Sequence, residues 1–154
     1  MDVAGVTEKA GNPAADGDGI QCDLALAAAL EHAKGKADRA TAVVLKRYGL
    51  TSAQFSVLDA LYRSGPATMR QITDRTLSTP GNMTVVVRNL ERDGLLSRRR
   101  NPSDARSQLL DITNTGRRKM AEIWPAYTAQ LKSLHAALTD AEKRTLAFLL
   151  EKIG

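Results

Sequence analysis

The chain has 154 residues, and 43% of them are apolar, which is enough for one domain with a buried core. Its longest apolar run, Leu24 to Leu30, is far shorter than the roughly 20 residues of a membrane-spanning helix, so we expect no membrane partner. Cys22 is the only cysteine, which excludes an intrachain disulfide. Residues 1–20 lack the pattern of a signal peptide, and we expect a cytoplasmic protein with a disordered N-terminal tail over these residues.

The net charge of +5 is concentrated in one third of the chain. Residues 69–118 contain ten arginines, no lysine and five acidic residues, whereas the rest of the chain has no net charge. Arginine without lysine favours a surface that binds phosphates and guanine edges, because the planar guanidinium fits both. A solvated basic face is the alternative interpretation. Double-stranded DNA is the polyanionic partner that we predict for this segment.

Apolar residues at spacings of three and four, together with capping residues, divide the chain into six helices and two strands. The predicted elements are a helix over 22–47, helices after the capping boxes Thr51-x-x-Gln54 and Thr68-x-x-Gln71, a helix over 80–93, strands over 95–100 and 108–113, and helices after Thr113 and the capping box Thr139-x-x-Glu142.

A helix-turn-helix followed by a hairpin is the order of a winged helix-turn-helix domain, which places one helix in the major groove of DNA. We therefore predict a mainly α fold with a small β-hairpin, in a single domain over 21–154. The winged helix DNA-binding region covers 51–113. The terminal helices, 21–47 and 114–154, have apolar residues on more than one face, which predicts that they form a dimer interface.

The helix over 80–93 is the predicted recognition helix. Its spacing turns Met83, Val86, Val87 and Leu90 toward the core and Gly81, Asn82, Thr84, Val85 and Arg88 outward. Asn82 can pair with adenine, and Arg88 can reach phosphate or guanine. An ordinary surface helix is the alternative. The major-groove residues that we predict are Thr79, Asn82, Thr84 and Arg88.

The hairpin has a charged, turn-rich tip over 101–107. Asp104 lies two residues before Arg106 and can hold that guanidinium in one orientation for a narrow minor groove. An incidental surface ion pair explains the same spacing equally well. The hairpin residues that we predict to contact phosphate or the minor groove are Arg98, Arg99, Arg100 and Arg106, with Asp104 as the orienting group.

Two stretches of the sequence resemble the MarR family of bacterial transcriptional regulators. These stretches are YGLTSAQFSVLDAL, from Tyr48, and GNMTVVVRNLERDGLLSRRRNPSDARSQLLDITNTG, from Gly81. The second contains Asp-x-Arg, a short strand and then aliphatic-Thr-x-x-Gly, which resembles the wing signature of that family. The resemblance covers roughly residues 24–153. One departure is Ala105, where the family often has arginine, so a phosphate contact is lost there.

The resemblance implies a homodimer, built from the first and last helices, that binds a short palindromic operator. It also implies that a small molecule or an oxidant releases the DNA. The opening Gly81-Asn82-x-Thr84 and the later Ile123-Trp124-Pro125 resemble a subgroup with quinone- and phenol-responsive members. Candidate residues for such an aromatic effector are His32, Arg39, Tyr62, Trp124 and Tyr127, although each also fits ordinary core or interface packing.

No arrangement of residues typical of an enzyme is present in the sequence, so we predict no catalytic residues, no metal site and no cofactor. The leading hypothesis is a sequence-specific DNA-binding regulator, a homodimeric repressor released by a small molecule. Alternatives are a nonspecific architectural DNA-binding protein, a thiol-based redox sensor acting through Cys22, and a module whose basic face binds an acidic protein.

Overall fold

Six helices and three short strands are present in the computed structural model, which describes residues 13–76, 80–104 and 106–153. The elements in chain order are α1 (Pro13–Arg47), α2 (Ser52–Ser64), β1 (Ala67–Thr68), α3 (Met69–Thr76), α4 (Pro80–Arg92), β2 (Leu96–Arg100), β3 (Gln108–Ile112), α5 (Asn114–Leu134) and α6 (Asp140–Leu150). The predicted fold class, mainly helical with a small antiparallel sheet, is confirmed. None of the helices in these ranges combines the length and the hydropathy that crossing a membrane requires.

Helix α1 begins earlier than the sequence predicts. It starts at Pro13 and therefore includes residues 13–20, which we expected to belong to the tail. Proline is favoured in the first turn of a helix, because its fixed φ suits the helix and its missing N–H would be unpaired there in any case. The chain also divides into two compact units inside α1, one up to Lys36 and one from Ala37 onward. In the first unit Cys22 and His32 are exposed.

The core of the second unit is built from the end of α1, α2 to α5 and the sheet. Helix α2 begins with a complete capping box, since Thr51 Oγ1 accepts the Gln54 N–H at 3.2 Å and Gln54 Oε1 accepts the Thr51 N–H at 2.9 Å. The helix ends at Gly65, whose φ of +74° suits glycine. The largest side chains that are fully buried in this unit include Leu58, Leu61, Ile72, Leu90, Met120 and Ile123.

The sheet has three antiparallel strands in the order β1-β3-β2. The predicted hairpin is present as β2 and β3, with Leu96 opposite Ile112 and Arg100 opposite Gln108. The third strand, β1, pairs Ala67 with Leu110 and was not predicted. A strand of two residues has no alternation to detect, so only its partner strand reveals it.

The start of α5 is packed tightly against the turn between α4 and β2. Thr113 caps α5 by accepting the Gly116 N–H at 3.0 Å, and its hydroxyl donates to the Gly94 carbonyl at 2.7 Å. A Cβ on Gly116 would collide with the Leu95 carbonyl oxygen and lie 2.7 Å from Ile112 Cγ1. The Thr-x-x-Gly pattern therefore joins α5 to the turn that precedes the wing.

Helix α6 is the least buried helix of the second unit. It begins with a capping box between Thr139 and Glu142, yet none of its residues is buried. Its exposed large apolar side chains, with that of the turn after it, are Leu146, Phe148, Leu149, Leu150 and Ile153.

Candidate DNA-binding surface

Helix α4 has one buried face and one polar face. Met83, Val86, Val87 and Leu90 are at most 7% exposed, as the spacing of apolar residues predicted. Asn82, Thr84 and Arg88 are exposed on the outward face, together with Gly81 and Val85. Thr79, which we also predicted to contact DNA, lies outside the described residues. The helix therefore presents three of the four predicted major-groove residues to solvent.

A tight turn connects α4 directly to the wing strand β2. Gly94 has φ +69°, its N–H donates to the Glu91 carbonyl at 3.0 Å, and the Leu95 N–H donates to the Leu90 carbonyl at 2.9 Å. These bonds satisfy carbonyls at the end of the helix and reverse the chain within three residues. Because the turn is short, the end of α4 lies beside the strand that follows it.

Arg98 is held by helix α4. Its Nε donates to Glu91 Oε1 at 2.8 Å, and both side chains are about one-third exposed. Its Nη1 lies 3.5 Å from Gln108 Oε1 on the neighbouring strand, at the outer limit of a hydrogen bond. We predicted Arg98 as a DNA contact from its position in the basic run. Its Nε is engaged within the chain, and the DNA contact of Arg98 stays a prediction.

Arg99 is engaged on the opposite face of β2. Its Nε lies 3.4 Å from Asp111 Oδ2 on β3, and Asp111 Oδ1 lies 3.9 Å from Nη2 of Arg117 at the start of α5. Asp111 Oδ1 is buried and accepts no hydrogen bond, so charge attraction is what holds it. Successive strand residues point to opposite faces of a sheet, and therefore the neighbouring arginines bind carboxylates on different elements, Arg98 on α4 and Arg99 on β3.

The tip of the wing differs from the prediction in one interaction. Asp104 Oδ1 accepts the backbone N–H of Arg106 at 3.0 Å, and the two side chains form no ion pair in the described part of the loop. A carboxylate two residues before an amide readily forms such a turn, which fixes the backbone and leaves the guanidinium unconstrained. Asn101 closes the loop through its Nδ2, which donates to Ser107 Oγ at 2.8 Å.

All four wing arginines are exposed, but Arg100 and Arg106 differ from Arg98 and Arg99 in their contacts. The guanidiniums of Arg100 and Arg106 pair with no carboxylate of the residues that the structure describes. Arg106 also lines a groove of about 560 Å³, which Arg70 at the start of α3 and Arg98 share. Sequence analysis did not single out Arg70, because its approach to the wing depends on the pairing of β1 with β3.

The candidate effector residues do not form one cluster. Tyr127 lies 4.5 Å from Phe55, between ring centroids, and lines a cavity of about 420 Å³ between α2, the end of α3 and α5. Tyr62 and Trp124 line a second cavity, of about 260 Å³. Arg39 is exposed on α1 and belongs to neither lining set, and His32 is exposed in the first unit.

Arg63 lies between the two cavities. Its guanidinium is 5.0 Å from the centre of the Trp124 ring, and its Nε donates to Asp59 at 2.8 Å. Burial, and then the negative charge of Asp59, raise the pKa of Tyr127 above its ordinary value. Tyr127 is therefore a neutral phenol at neutral pH, and its cavity also contains the guanidinium of Arg75.

Comparison with known proteins gives consistent results. Residues 48–107 match the MarR family. The chain is 35% identical over 109 residues to the HTH-type transcriptional regulator YkoM of Bacillus subtilis. This alignment covers 71% of each of the two chains.

Two solved structures are similar in fold. An E. coli MarR variant in complex with operator DNA has a TM-score of 0.76 and 26% identity, over 83% of this chain and 92% of that one. Bordetella bronchiseptica BpsR, whose DNA binding is regulated by 6-hydroxynicotinic acid, has a TM-score of 0.75 and 26% identity, over 83% of this chain and 97% of that one. The chain therefore belongs to the MarR family of DNA-binding transcriptional regulators.

Proposed function

We propose that the chain is a homodimeric repressor that binds a palindromic operator in double-stranded DNA and releases it when a small aromatic molecule binds. The observation that carries the DNA-binding part is the polar outward face of α4 beside the exposed arginines of the wing. Both lie in the segment that contains all the net positive charge of the chain. Asn82 and Arg88 read bases in the major groove, while Arg100 and Arg106 contact the backbone or minor groove.

Dimer formation is supported by the apolar surface of α6. Leu146, Phe148 and Leu149 are each 46–58% exposed, and a patch of this kind usually marks an interface. A twofold dimer would place two recognition helices about one turn of DNA apart, which a palindromic operator matches. Light scattering should give twice the mass of the chain at micromolar concentration, and a monomeric mass would contradict the half-site arrangement.

Sequence specificity is tested by fluorescence anisotropy with DNA from upstream of the protein's own gene and unrelated duplex as competitor. Binding that survives the competitor supports a specific regulator. Binding that the competitor removes supports an architectural protein, which binds any duplex. A competitor is used because specific and nonspecific binding both weaken with salt, so salt dependence cannot distinguish them. A duplex selected by the protein from a randomised library then replaces the upstream DNA, and a failure to enrich any sequence contradicts the proposal.

Two substitutions test the assigned contacts on the operator. Arg106→Ala should weaken binding by about 1–3 kcal/mol, while Lys132→Ala, the same loss of one charge on α5, should change it little. Asn82→Ala should mainly reduce the preference for operator over unrelated duplex. An equal loss on every sequence would contradict a base-reading role for Asn82.

Effector binding is supported by the cavity that Tyr127 lines. The aromatic rings of Phe55 and Tyr127, with the guanidiniums of Arg63 and Arg75, fit a small phenol or aromatic acid. The cavity also borders Thr76, the last residue of α3, which precedes the recognition helix in the chain. A ligand there can therefore shift the helix-turn-helix relative to α2. BpsR supports this part of the proposal, because a hydroxylated aromatic acid regulates its DNA binding.

The effector is tested by titrating 6-hydroxynicotinic acid and hydroquinone into the protein–operator complex and following release of the DNA. Tyr127→Phe should raise the concentration needed for release about five- to tenfold, since it removes one hydrogen bond to the ligand. Tyr62→Phe, in the second cavity, is the matched control and should leave that concentration unchanged. The reverse result would assign the effector to the cavity beside Trp124.

A further inference from the structure

The wing strand β2 is braced from both faces by carboxylates. On the face that continues from buried Leu96, Glu91 of α4 binds Arg98. On the other face Asp111, itself 3.9 Å from Arg117 of α5, binds Arg99. The strand is thus tied to α4 on one face and, through Asp111 of its partner strand β3, to the start of α5 on the other.

The ion pair between Glu91 of α4 and Arg98 has the shorter distance of the two. The Glu91–Arg98 distance is 2.8 Å, and the side chains are 29% and 34% exposed. A charge-assisted hydrogen bond with this degree of shielding is stronger than an exposed surface ion pair. It spans the turn at Gly94, the only covalent link between α4 and β2, so it limits rotation of the wing about that turn.

The position of these carboxylates is unfavourable for binding a polyanion. Residues 69–118 contain five acidic side chains among ten arginines, and two of the five neutralise arginines of the wing. Simple electrostatics predicts that removing either carboxylate would strengthen binding to every DNA sequence. A positioning role predicts the opposite on the selected operator, because a wing without its brace must be ordered when DNA binds.

We propose that Glu91 and Asp111 are positioning residues for operator binding. Glu91 fixes the direction of the wing relative to α4 by holding Arg98, and Asp111, between Arg99 and Arg117, fixes the base of the wing relative to α5. The wing arginines that pair with no carboxylate of the described residues, Arg100 and Arg106, then reach DNA at a fixed distance from the base-reading residues of α4. This inference rests on the proposed operator binding.

The test compares wild type, Glu91→Gln, Asp111→Asn and Glu122→Gln on the duplex selected from a randomised library and on an unrelated duplex. Glu122→Gln is the matched control, because it removes an exposed carboxylate that pairs with Lys119 at 3.8 Å on α5. We expect Glu91→Gln to weaken binding to the selected duplex about 5- to 30-fold and to leave the unrelated duplex bound equally or more tightly. Asp111→Asn should act in the same direction, and Glu122→Gln should have little effect.

A charge-swapped variant separates positioning from a general loss of structure. The double substitution Glu91→Arg with Arg98→Glu keeps the net charge and can rebuild the brace, so it should recover most of the affinity that Glu91→Arg alone loses. Circular dichroism and thermal unfolding establish that each variant is folded. If the folded Glu91→Gln variant binds the selected duplex as tightly as wild type or more tightly, the inference is wrong. If wild type selects no duplex, the proposed operator binding fails instead, and the inference fails with it.

Discussion

Helices α2 and α6 begin with the same capping motif, but their apolar side chains differ in burial. Both start at a threonine that forms a complete capping box. Leu58 and Leu61 of α2 are fully buried, whereas Leu149 of α6 is 49% exposed. Capping and periodicity therefore decide where a helix forms, but only neighbouring elements decide whether its apolar face is covered. In the second unit, α2 belongs to a complete core, and the apolar face of α6 is left uncovered by the rest of that unit.

Truncation of one leucine in each helix should give the largest contrast. Leu58→Ala should lower the free energy of unfolding by about 2–5 kcal/mol, because it leaves a cavity in the core. Leu149→Ala should cost far less at low protein concentration and more as the concentration rises, if a partner covers α6. Chemical denaturation at two protein concentrations measures both. An equally large, concentration-independent loss for Leu149→Ala would mean that α6 packs on its own core in solution.

Substitution of Gly116 tests how tightly the start of α5 packs against the core. Gly116→Ala should destabilise the protein by about 1–3 kcal/mol, because the new Cβ meets the Leu95 carbonyl and Ile112. Gly81→Ala on α4 is the matched control, since a Cβ there meets no atom within 4 Å. Thermal unfolding should show a lower melting temperature for the first variant alone. A neutral Gly116→Ala would indicate that the contact relaxes freely.

Removal of the two caps should give a smaller contrast. Thr51→Ala should lower the free energy of unfolding by about 1 kcal/mol, because α2 cannot fray without opening the core. Thr139→Ala should increase hydrogen exchange in the first turn of α6 with little change in global stability. Amide exchange followed by mass spectrometry distinguishes local from global opening. Equal global effects would place α6 in the same cooperative unit as α2.

The smallest predicted effect is a difference between the two capping boxes in how their stability depends on pH. Hydrogen bonds from the Thr139 backbone and hydroxyl lower the pKa of Glu142 below its ordinary value, whereas Gln54 in the other cap does not ionise. A lowered pKa contributes stability that is present above the unfolded value of 4.5 and is lost as pH falls through the folded value. Protection at the start of α6, taken as the intrinsic exchange rate at each pH divided by the observed rate, should therefore decrease below pH 4.5 in wild type more than in Glu142→Gln, while protection at the start of α2 stays constant. A parallel decrease at both helices would contradict the assignment.

The sequence predicted the elements that local chemistry defines. Capping boxes and apolar spacing placed α2, α4 and α6 within a few residues, and the buried face of α4 was predicted residue by residue. The two-residue strand β1 and the early start of α1 were missed, because neither has a periodic pattern. Strand β1 depends on pairing with β3, and the early start of α1 depends on the tolerance of a helix for proline in its first turn.

The site was predicted less completely than the fold. The basic run identified the wing, but charge alone could not tell which arginines are engaged internally. Arg98 and Arg99 find carboxylates through the geometry of a tight turn and a strand pair, and sequence separation does not show this. For the same reason Arg70 was missed, and Asp104 was assigned to a guanidinium although it binds a backbone amide.

The contact between α2 and α5 also contains the only tryptophan of the chain, Trp124. Its indole lies against the Arg63 guanidinium, 6.1 Å from the Tyr127 ring between centroids, and is 36% exposed. Indole emission responds to nearby charge and to water, so a ligand that disturbs Arg63 or Tyr127 should change its intensity or wavelength. Each chain thus contains a single indole, which lines one cavity and lies against Arg63 of the other, and ligand occupancy can be followed optically without a label and without DNA.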